Sequence, residues 1–233
     1  MMDTAMILAA GLGTRMRPLT EHTPKPLLQA GGKPLIEHLI ERLAEAGFNR
    51  LVINHAWLGD QLEAALGKGE RWGVTLLYSP EGEPLETAGG IRKALPLLDR
   101  EYFAVINGDI WTDYPFGQLR EKTIRDAWLV LADNPGHHPA GDFALDADGR
   151  VQFRGTPMLT YTGMGVYHRR LFEALPQGPW PLAPVIREAI RAGTAFGEHY
   201  TGHWYDIGIP ARLDWLDRWL RGESDTLPPH PAC

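Results

Sequence analysis

Residues 6–17, Met-Ile-Leu-Ala-Ala-Gly-Leu-Gly-Thr-Arg-Met-Arg, run a short apolar strand into two glycines and then into cations. Pro18, Pro24 and Pro26 keep the next stretch of chain from being an ordinary helix. Backbone that ends a strand in glycine can approach an anion with no Cβ in the way. Successive free N–H groups in such a turn form an anion-binding concavity, and Arg15, Arg17 and Lys25 would complete it. Single positions exclude two other phosphate loops. The dinucleotide-binding turn needs glycine where this chain has Met16, and it opens directly into a helix. The Walker loop ends in Gly-Lys-Ser/Thr, which is missing here. Pro24 and Pro26 each fix φ and restrict the residue before them, so Lys25 loses little freedom on meeting a phosphate. The segment reads as a triphosphate-binding loop at the end of a first strand.

The first half of the chain continues in the alternating pattern of a sheet covered by helices. Strands are expected at 5–10, 51–54, 74–78, Tyr102–Asn107 and Ala127–Ala132, with helices at 34–46, Gly59–Leu66 and 89–98. Leu35, Ile36, Leu39, Ile40 and Leu43 have helical spacing, and Gly47 supplies the stop. After Asn134 the alternation fails. Short apolar pieces at 143–145, 151–153 and 163–167 predict small strands and hairpins over one end of the sheet. Helices at 183–192 and Pro210–Leu220 close the pattern.

With 233 residues and 44% hydrophobic content, one α/β domain over 1–221 is comfortable, with a loose polar tail at 222–233. A net charge of −6 argues against general nucleic-acid binding. The single cysteine, Cys233, excludes an internal disulfide or a cysteine metal cluster, and reads as a thiol on the tail. No stretch has membrane-spanning length and no targeting segment is evident, so a cytoplasmic protein without a membrane partner is expected. Oligomeric state stays open between a monomer and a small homo-oligomer.

Two carboxylates carry the remaining chemistry. Ile106-Asn107-Gly108-Asp109 ends an apolar strand, and in open α/β sheets ligands bind beyond the carboxyl ends of strands. Taken alone, Asp109 could equally be a turn residue or a helix cap. Trp204-Tyr-Asp206-Ile-Gly208 sets a second carboxylate beside glycine before the last helix. Two oxygen ligands from separate segments suit Mg²⁺, which keeps several waters and takes one or two carboxylates plus phosphate oxygens.

Leu8-Ala-Ala-Gly-Leu-Gly-Thr-Arg-Met-Arg-Pro-Leu-Thr with Pro24-Lys-Pro-Leu resembles the opening of the sugar-1-phosphate nucleotidylyltransferases, and matching segments recur as far as Gly208. The resemblance implies a Rossmann-like mixed, mostly parallel sheet flanked by helices, the nucleotide-diphospho-sugar transferase type. It implies that Leu8, Ala9, Ala10, Gly11, Gly13, Thr14, Arg15 and Lys25 bind the nucleotide. Asp109 and Asp206 would hold the catalytic Mg²⁺, and Arg15, Lys25 and Asp109 would be catalytic. Ser79–Gly90 is similar to the family's base-reading loop, making Glu81, Glu86 and Thr87 the base contacts. Many relatives have glycine where this chain has Glu86. The alternative is an acidic solvated loop, with Thr87 as a helix cap. By position, Asn107, Gly141, Asp142, Thr162 and Gly163 match sugar-binding positions. The family's Glu-Lys-Pro segment, whose lysine holds the sugar phosphate, is replaced here by the region Gln152-Phe153-Arg154-Gly155. Either Arg154 substitutes for that lysine or the acceptor phosphate is held otherwise.

The implied reaction joins a nucleoside triphosphate and a sugar 1-phosphate and releases pyrophosphate. An already ionised phosphate oxygen attacks the α-phosphorus in line, so charge neutralisation and alignment matter more than a strong base. Segments including Val52–Gly59, Asn107–Asp113 and Gly197–Trp204 look most like one subgroup, the N-acetylmuramate α-1-phosphate uridylyltransferases of peptidoglycan recycling. That resemblance implies UTP as donor and N-acetylmuramate 1-phosphate as acceptor. Alternatives are a mannose-1-phosphate guanylyltransferase, a glucose-1-phosphate nucleotidylyltransferase, and an inactive sugar-nucleotide-binding regulatory module.

Overall fold

The structure, a computed structural model, describes residues 2–122 and 124–223. Cys233 and most of the tail expected from residue 222 lie outside the described residues.

β1 (Thr4–Leu8) leads through the glycine loop and a short β2 (Gln29–Ala30)–β3 (Lys33–Pro34) hairpin into α1 (Leu35–Glu45). Then come β4 (Arg50–His55), α2 (Gly59–Leu66), β5 (Thr75–Pro80), α3 (Glu86–Ala94) and β6 (Tyr102–Asn107). The second half comprises β7 (Ile110–Thr112), α4 (Gly117–Glu121), β8 (Ala127–Ala132), β9 (Ala144–Leu145), β10 (Val151–Gln152) and β11 (Thr160–His168). It closes with α5 (Arg170–Glu173), α6 (Leu182–Arg191), β12 (Ala195–Tyr200), β13 (Trp204–Asp206) and α7 (Pro210–Leu220). The main sheet has seven strands in the order β12-β8-β11-β6-β1-β4-β5. β11 runs antiparallel to both its neighbours, and every other pairing in this sheet is parallel. The mixed, mostly parallel Rossmann-like sheet expected from the resemblance is therefore present.

β1 explains why the site forms where it does. The chain steps outward from β1 to β4 and β5, then returns through α3 to place β6 on the other side of β1. That reversal opens a crevice at the carboxyl ends of β1 and β6, where ligands of such sheets bind. β1 is held rigidly. Ala5 and Ile7 pack under α1 and α2, while Met6 faces α3 and α6 through the opposite core layer. The five apolar residues predicted for α1 are all buried, each contributing about 1.5–3 kcal/mol on transfer from water.

Two features differ from the expected pattern. The piece at 163–167 is not a surface hairpin but part of the nine-residue β11 inside the sheet. Gly163 adopts φ +77°, and the register with β8 shifts between Tyr161 and Met164. A glycine inside a strand marks such a bulge, so an interrupted apolar pattern concealed one continuous strand. The edge strand β12 was not anticipated. It carries Glu198 and His199 among its apolar residues, as edge strands do.

A two-stranded ribbon lies outside the main sheet: β7 pairs antiparallel with β13, setting Ile110 opposite Asp206. The Ile207 N–H donates to the Asp109 carbonyl at 2.7 Å. This ribbon brings together two aspartates separated by nearly a hundred residues of chain. α7 seats behind it, with Leu213 and Leu216 packed on Met16, Trp111, Tyr205 and Ile207.

Candidate active site

The glycine loop leaves β1 without becoming a helix. The Ala9 N–H is taken by Asn54 Oδ1 at 2.9 Å. The N–H groups of Ala10, Gly11, Leu12 and Gly13 meet no acceptor among the described residues. Gly13, at φ +63°, turns the chain into a single 3₁₀ turn at Thr14–Met16, and Thr20 Oγ1 closes the loop by donating to the Gly13 carbonyl at 2.8 Å. Gly11, Gly13, Thr14, Arg15, Lys25, Asp109 and Gly208 line one cavity of about 180 Å³. Lys25, the first residue of the 3₁₀ turn Lys25–Leu27, reaches Asp109 Oδ2 at 2.6 Å. Its side chain is 11% exposed and that of Asp109 36%, so the pair sits at the cavity wall with the carboxylate toward solvent.

Asp206 lies across the ribbon from Asp109 and is flanked by basic side chains. Arg212 on α7 pairs with its carboxylate and donates to its carbonyl at 2.9 Å. His137 Nε2 is 3.3 Å from Asp206 Oδ1. Burial lowers the His137 pKa below its ordinary value; Asp206 opposes that shift, and the charges of Arg212, His138 and Arg15 reinforce it. A Cβ on Gly208 would lie 3.6 Å from Arg15 Nη2 and 3.1 Å from Asp206 Oδ2, so this glycine lies beside both the Arg15 guanidinium and the Asp206 carboxylate. Asp109 lines the phosphate-sized cavity and Asp206 lies beside Gly208 in its wall, so two segments each bring a carboxylate, paired with Lys25 and Arg212 respectively, to one side of the site. That donor set fits a hard cation that draws its other ligands from water and phosphate. His138 turns to a different carboxylate, Asp142, at 3.0 Å.

A second cavity, of about 290 Å³, is lined by Leu8, Ala10, Gly11, Asn54, Glu81, Pro84, Glu86 and Thr87. It shares Gly11 with the first, and it unites the three residues proposed to contact the base. Glu81 is buried; its Oε1 accepts from Asn54 Nδ2 at 2.7 Å and its Oε2 from the Leu85 N–H at 2.8 Å. A carboxylate has about four lone-pair sites, so Glu81 keeps acceptor capacity for a ligand N–H. Thr87 is the second residue of α3; the cap position is Leu85, with no side-chain cap bond.

Glu86 opens α3 at φ +60°, a left-handed conformation natural to glycine and costly for other residues. The backbone here has the shape that many relatives fill with glycine. Glu86→Gly is expected to raise the stability of this protein by about 0.5–1 kcal/mol, the relief of strain exceeding the added freedom of the unfolded chain. Thermal unfolding would register this as a higher midpoint.

The positions that the resemblance matches to sugar binding fall into two groups. Asn107 ends β6 and packs directly on Gly163, while Gly141 and Asp142 line a third cavity with Arg154 and Tyr161. Thr162 is tied into the sheet. Its hydroxyl donates to the Val130 carbonyl at 2.7 Å and accepts from the Met164 N–H at 3.2 Å. Sequence reasoning missed Asn54 and Arg212. Asn54 carried a signal, a side-chain amide at the carboxyl end of an apolar strand, as Asn107 does. Arg212 carried none, since nothing in a terminal helix announces that it will meet Asp206.

Residues 4–152 match the nucleotidyl transferase family. The chain belongs to that family. Among its relatives, an N-acetylmuramate alpha-1-phosphate uridylyltransferase of Neisseria meningitidis serogroup B is 49% identical over 220 residues, covering 90% of this chain and 94% of that protein. One of the same description from Caulobacter vibrioides is 36% identical, covering 88% and 92%. Among solved structures, an inositol-1-phosphate CTP transferase from T. maritima superposes with a TM-score of 0.77 at 21% identity, covering 95% of this chain and 96% of that one. That last likeness speaks to the fold alone. No helix among the described residues is long and apolar enough to cross a membrane.

Proposed function

We propose that this nucleotidyl transferase moves UMP from UTP to N-acetylmuramate 1-phosphate, giving UDP-N-acetylmuramate and pyrophosphate, a cytoplasmic step in peptidoglycan recycling. The observation that carries the choice of substrates is the 49% identity to the Neisseria uridylyltransferase along nearly the whole of both chains. The site geometry supports the class of reaction. The base cavity and the phosphate cavity meet at Gly11, so a nucleotide can lie across the loop with its base at Glu81 and its phosphates at Arg15 and Lys25. Uracil carries one ring N–H, at N3, which the Glu81 carboxylate can accept.

Lys25 holds the α-phosphate beside the incoming sugar phosphate, and Arg15 neutralises the departing pyrophosphate. Alignment of two anions at one site accounts for roughly 7–11 kcal/mol of a barrier in favourable cases. Mg²⁺ held by Asp109 and Asp206 would supply further neutralisation of phosphate charge. Asn107, Gly141, Asp142 and Gly163 face the acceptor side.

Crossing UTP, GTP, CTP and dTTP with N-acetylmuramate, mannose and glucose 1-phosphates, with pyrophosphate release as readout, tests the proposal. UTP with N-acetylmuramate 1-phosphate is expected to give the highest kcat/KM. A higher value for GTP with mannose 1-phosphate would reassign the substrates, and no pyrophosphate from any pair would indicate a binding module.

A further inference from the structure

The third cavity, of about 600 Å³, extends from Gly141, Asp142 and Tyr161 along α6. Its wall is apolar where Phe143, Met158, Leu182 and Ile186 contribute. Three guanidiniums stand around it: Arg154 on the loop after β10, and Arg187 and Arg191 on α6. In a chain of net charge −6 such a gathering is out of proportion. Arg191 pairs with Glu188, whereas Arg154 and Arg187 have no carboxylate partner among the described residues. Arg187 and Arg191 are also four residues apart on one helix, where like charges repel and destabilise the helix. The only acid lining the cavity among the described residues, Asp142, is already engaged, accepting from the Tyr161 N–H at 2.9 Å and facing His138. The cavity is therefore a pocket of net positive charge with an apolar floor, two of its three guanidiniums lacking a carboxylate partner among the described residues, and a bound anion would relieve its internal repulsion.

We propose that Arg154 and Arg187, assisted by Arg191, bind the carboxylate of an acidic sugar 1-phosphate and so select the acceptor. The inference rests on the uridylyltransferase reading and deepens it. N-acetylmuramate is N-acetylglucosamine bearing a lactyl ether, so its 1-phosphate has two anionic groups on different ring positions. The phosphate must reach the cavity of Lys25 and Asp109. That cavity shares no lining residue with the arginine pocket, so the arginines are available to the second anion. Continuity runs through the chain itself: Tyr161 borders the pocket, and Gly163, two residues on, packs against Asn107 at the end of β6. The apolar floor would meet the lactyl methyl group. Arginine, planar and forked, is the side chain that holds a carboxylate through two hydrogen bonds.

The test compares N-acetylmuramate 1-phosphate with N-acetylglucosamine 1-phosphate, which lacks only the lactyl ether, as acceptors for UTP. Arg154→Ala and Arg187→Ala are each expected to lower kcat/KM for the acidic acceptor about 10- to 100-fold, the loss of a charge-assisted hydrogen bond. Use of N-acetylglucosamine 1-phosphate, which has no carboxylate, and the KM for UTP should be unaffected. Arg187→Glu should lower acidic-acceptor use further, and Arg187→Lys should restore part of it. An equal fall for both acceptors would assign the arginines to the phosphate or to the fold, and no fall for either would leave the pocket without this role; each overturns the proposal. Failure of the wild-type protein to use the acidic acceptor at all would instead remove the functional reading on which it rests.

Discussion

Lys25→Ala should lower kcat about 10²–10³-fold, the range seen when one preorganised group that stabilises developing charge is removed, while circular dichroism reports an intact fold. Lys25 is the group best prepared for that role. Pro24 and Pro26 hold its backbone, its side chain is nearly buried, and its ammonium lies 2.6 Å from Asp109. The reverse truncation is less informative. Asp109→Ala would leave an almost fully buried lysine without its counter-charge, and breaking a buried pair from one side costs stability as well as chemistry. Asp109→Asn keeps the shape and a hydrogen-bond acceptor for Lys25 while removing the charge. It is expected to depress kcat to a similar degree, and the double variant should be little worse than either single one, because in the proposed mechanism the two residues act on the same phosphates as a unit. Near-wild-type turnover of either single variant at saturating Mg²⁺ would remove the pair from the catalytic assignment.

How much of this was readable from the chain depends on whether the cause is local. The glycine loop and the Pro-Lys25-Pro clamp were legible because glycine and proline act on their own φ angles. α1 was legible because five apolar residues at helical spacing can be buried together in only one way. Asp109 was legible as a strand-end residue and Asp206 as a carboxylate beside glycine ahead of the last helix, while the shared metal role came from the resemblance. Their meeting depends on the β7–β13 ribbon and the Ile207-to-Asp109 hydrogen bond, which no local signal encodes. β11 was hidden because Gly163 and Gly165 interrupt its apolar run; both are required by close packing, Gly163 against Asn107 and Gly165 against the Trp128 carbonyl. Glu86 shows the converse. The resemblance makes it a base contact, with an acidic solvated loop as the alternative; the residue is exposed, yet its left-handed backbone and its place in the wall of the second cavity belong to the position and not to the residue type.

The glycine that matters most to the geometry lies outside the phosphate loop. Gly108 comes directly after β6, and its N–H donates to the Leu8 carbonyl at 2.8 Å. A Cβ there would stand 2.6 Å from that same oxygen and 3.3 Å from Ile7 Cγ2. Backbone has to move, and β1 cannot yield, being buried on both faces and paired on both edges. The end of β6 must shift instead, carrying Asp109 and, through the Asp109 carbonyl and Ile207, the end of β13 that holds Asp206. Gly108→Ala is therefore expected to cost about 1–3 kcal/mol of stability, the usual consequence of overpacking, and to lower kcat/KM about 100-fold, since a displacement near 1 Å at a reacting centre has that effect. Gly11→Ala is the control. A Cβ at Gly11 meets nothing within 4 Å, but Gly11 lines both cavities in which the nucleotide is proposed to lie. Its expected signature is an unchanged unfolding midpoint with a raised KM for UTP. If Gly108→Ala unfolded at the wild-type midpoint and kept full activity, the coupling of β1, β6 and the two aspartates through this one close approach would be wrong.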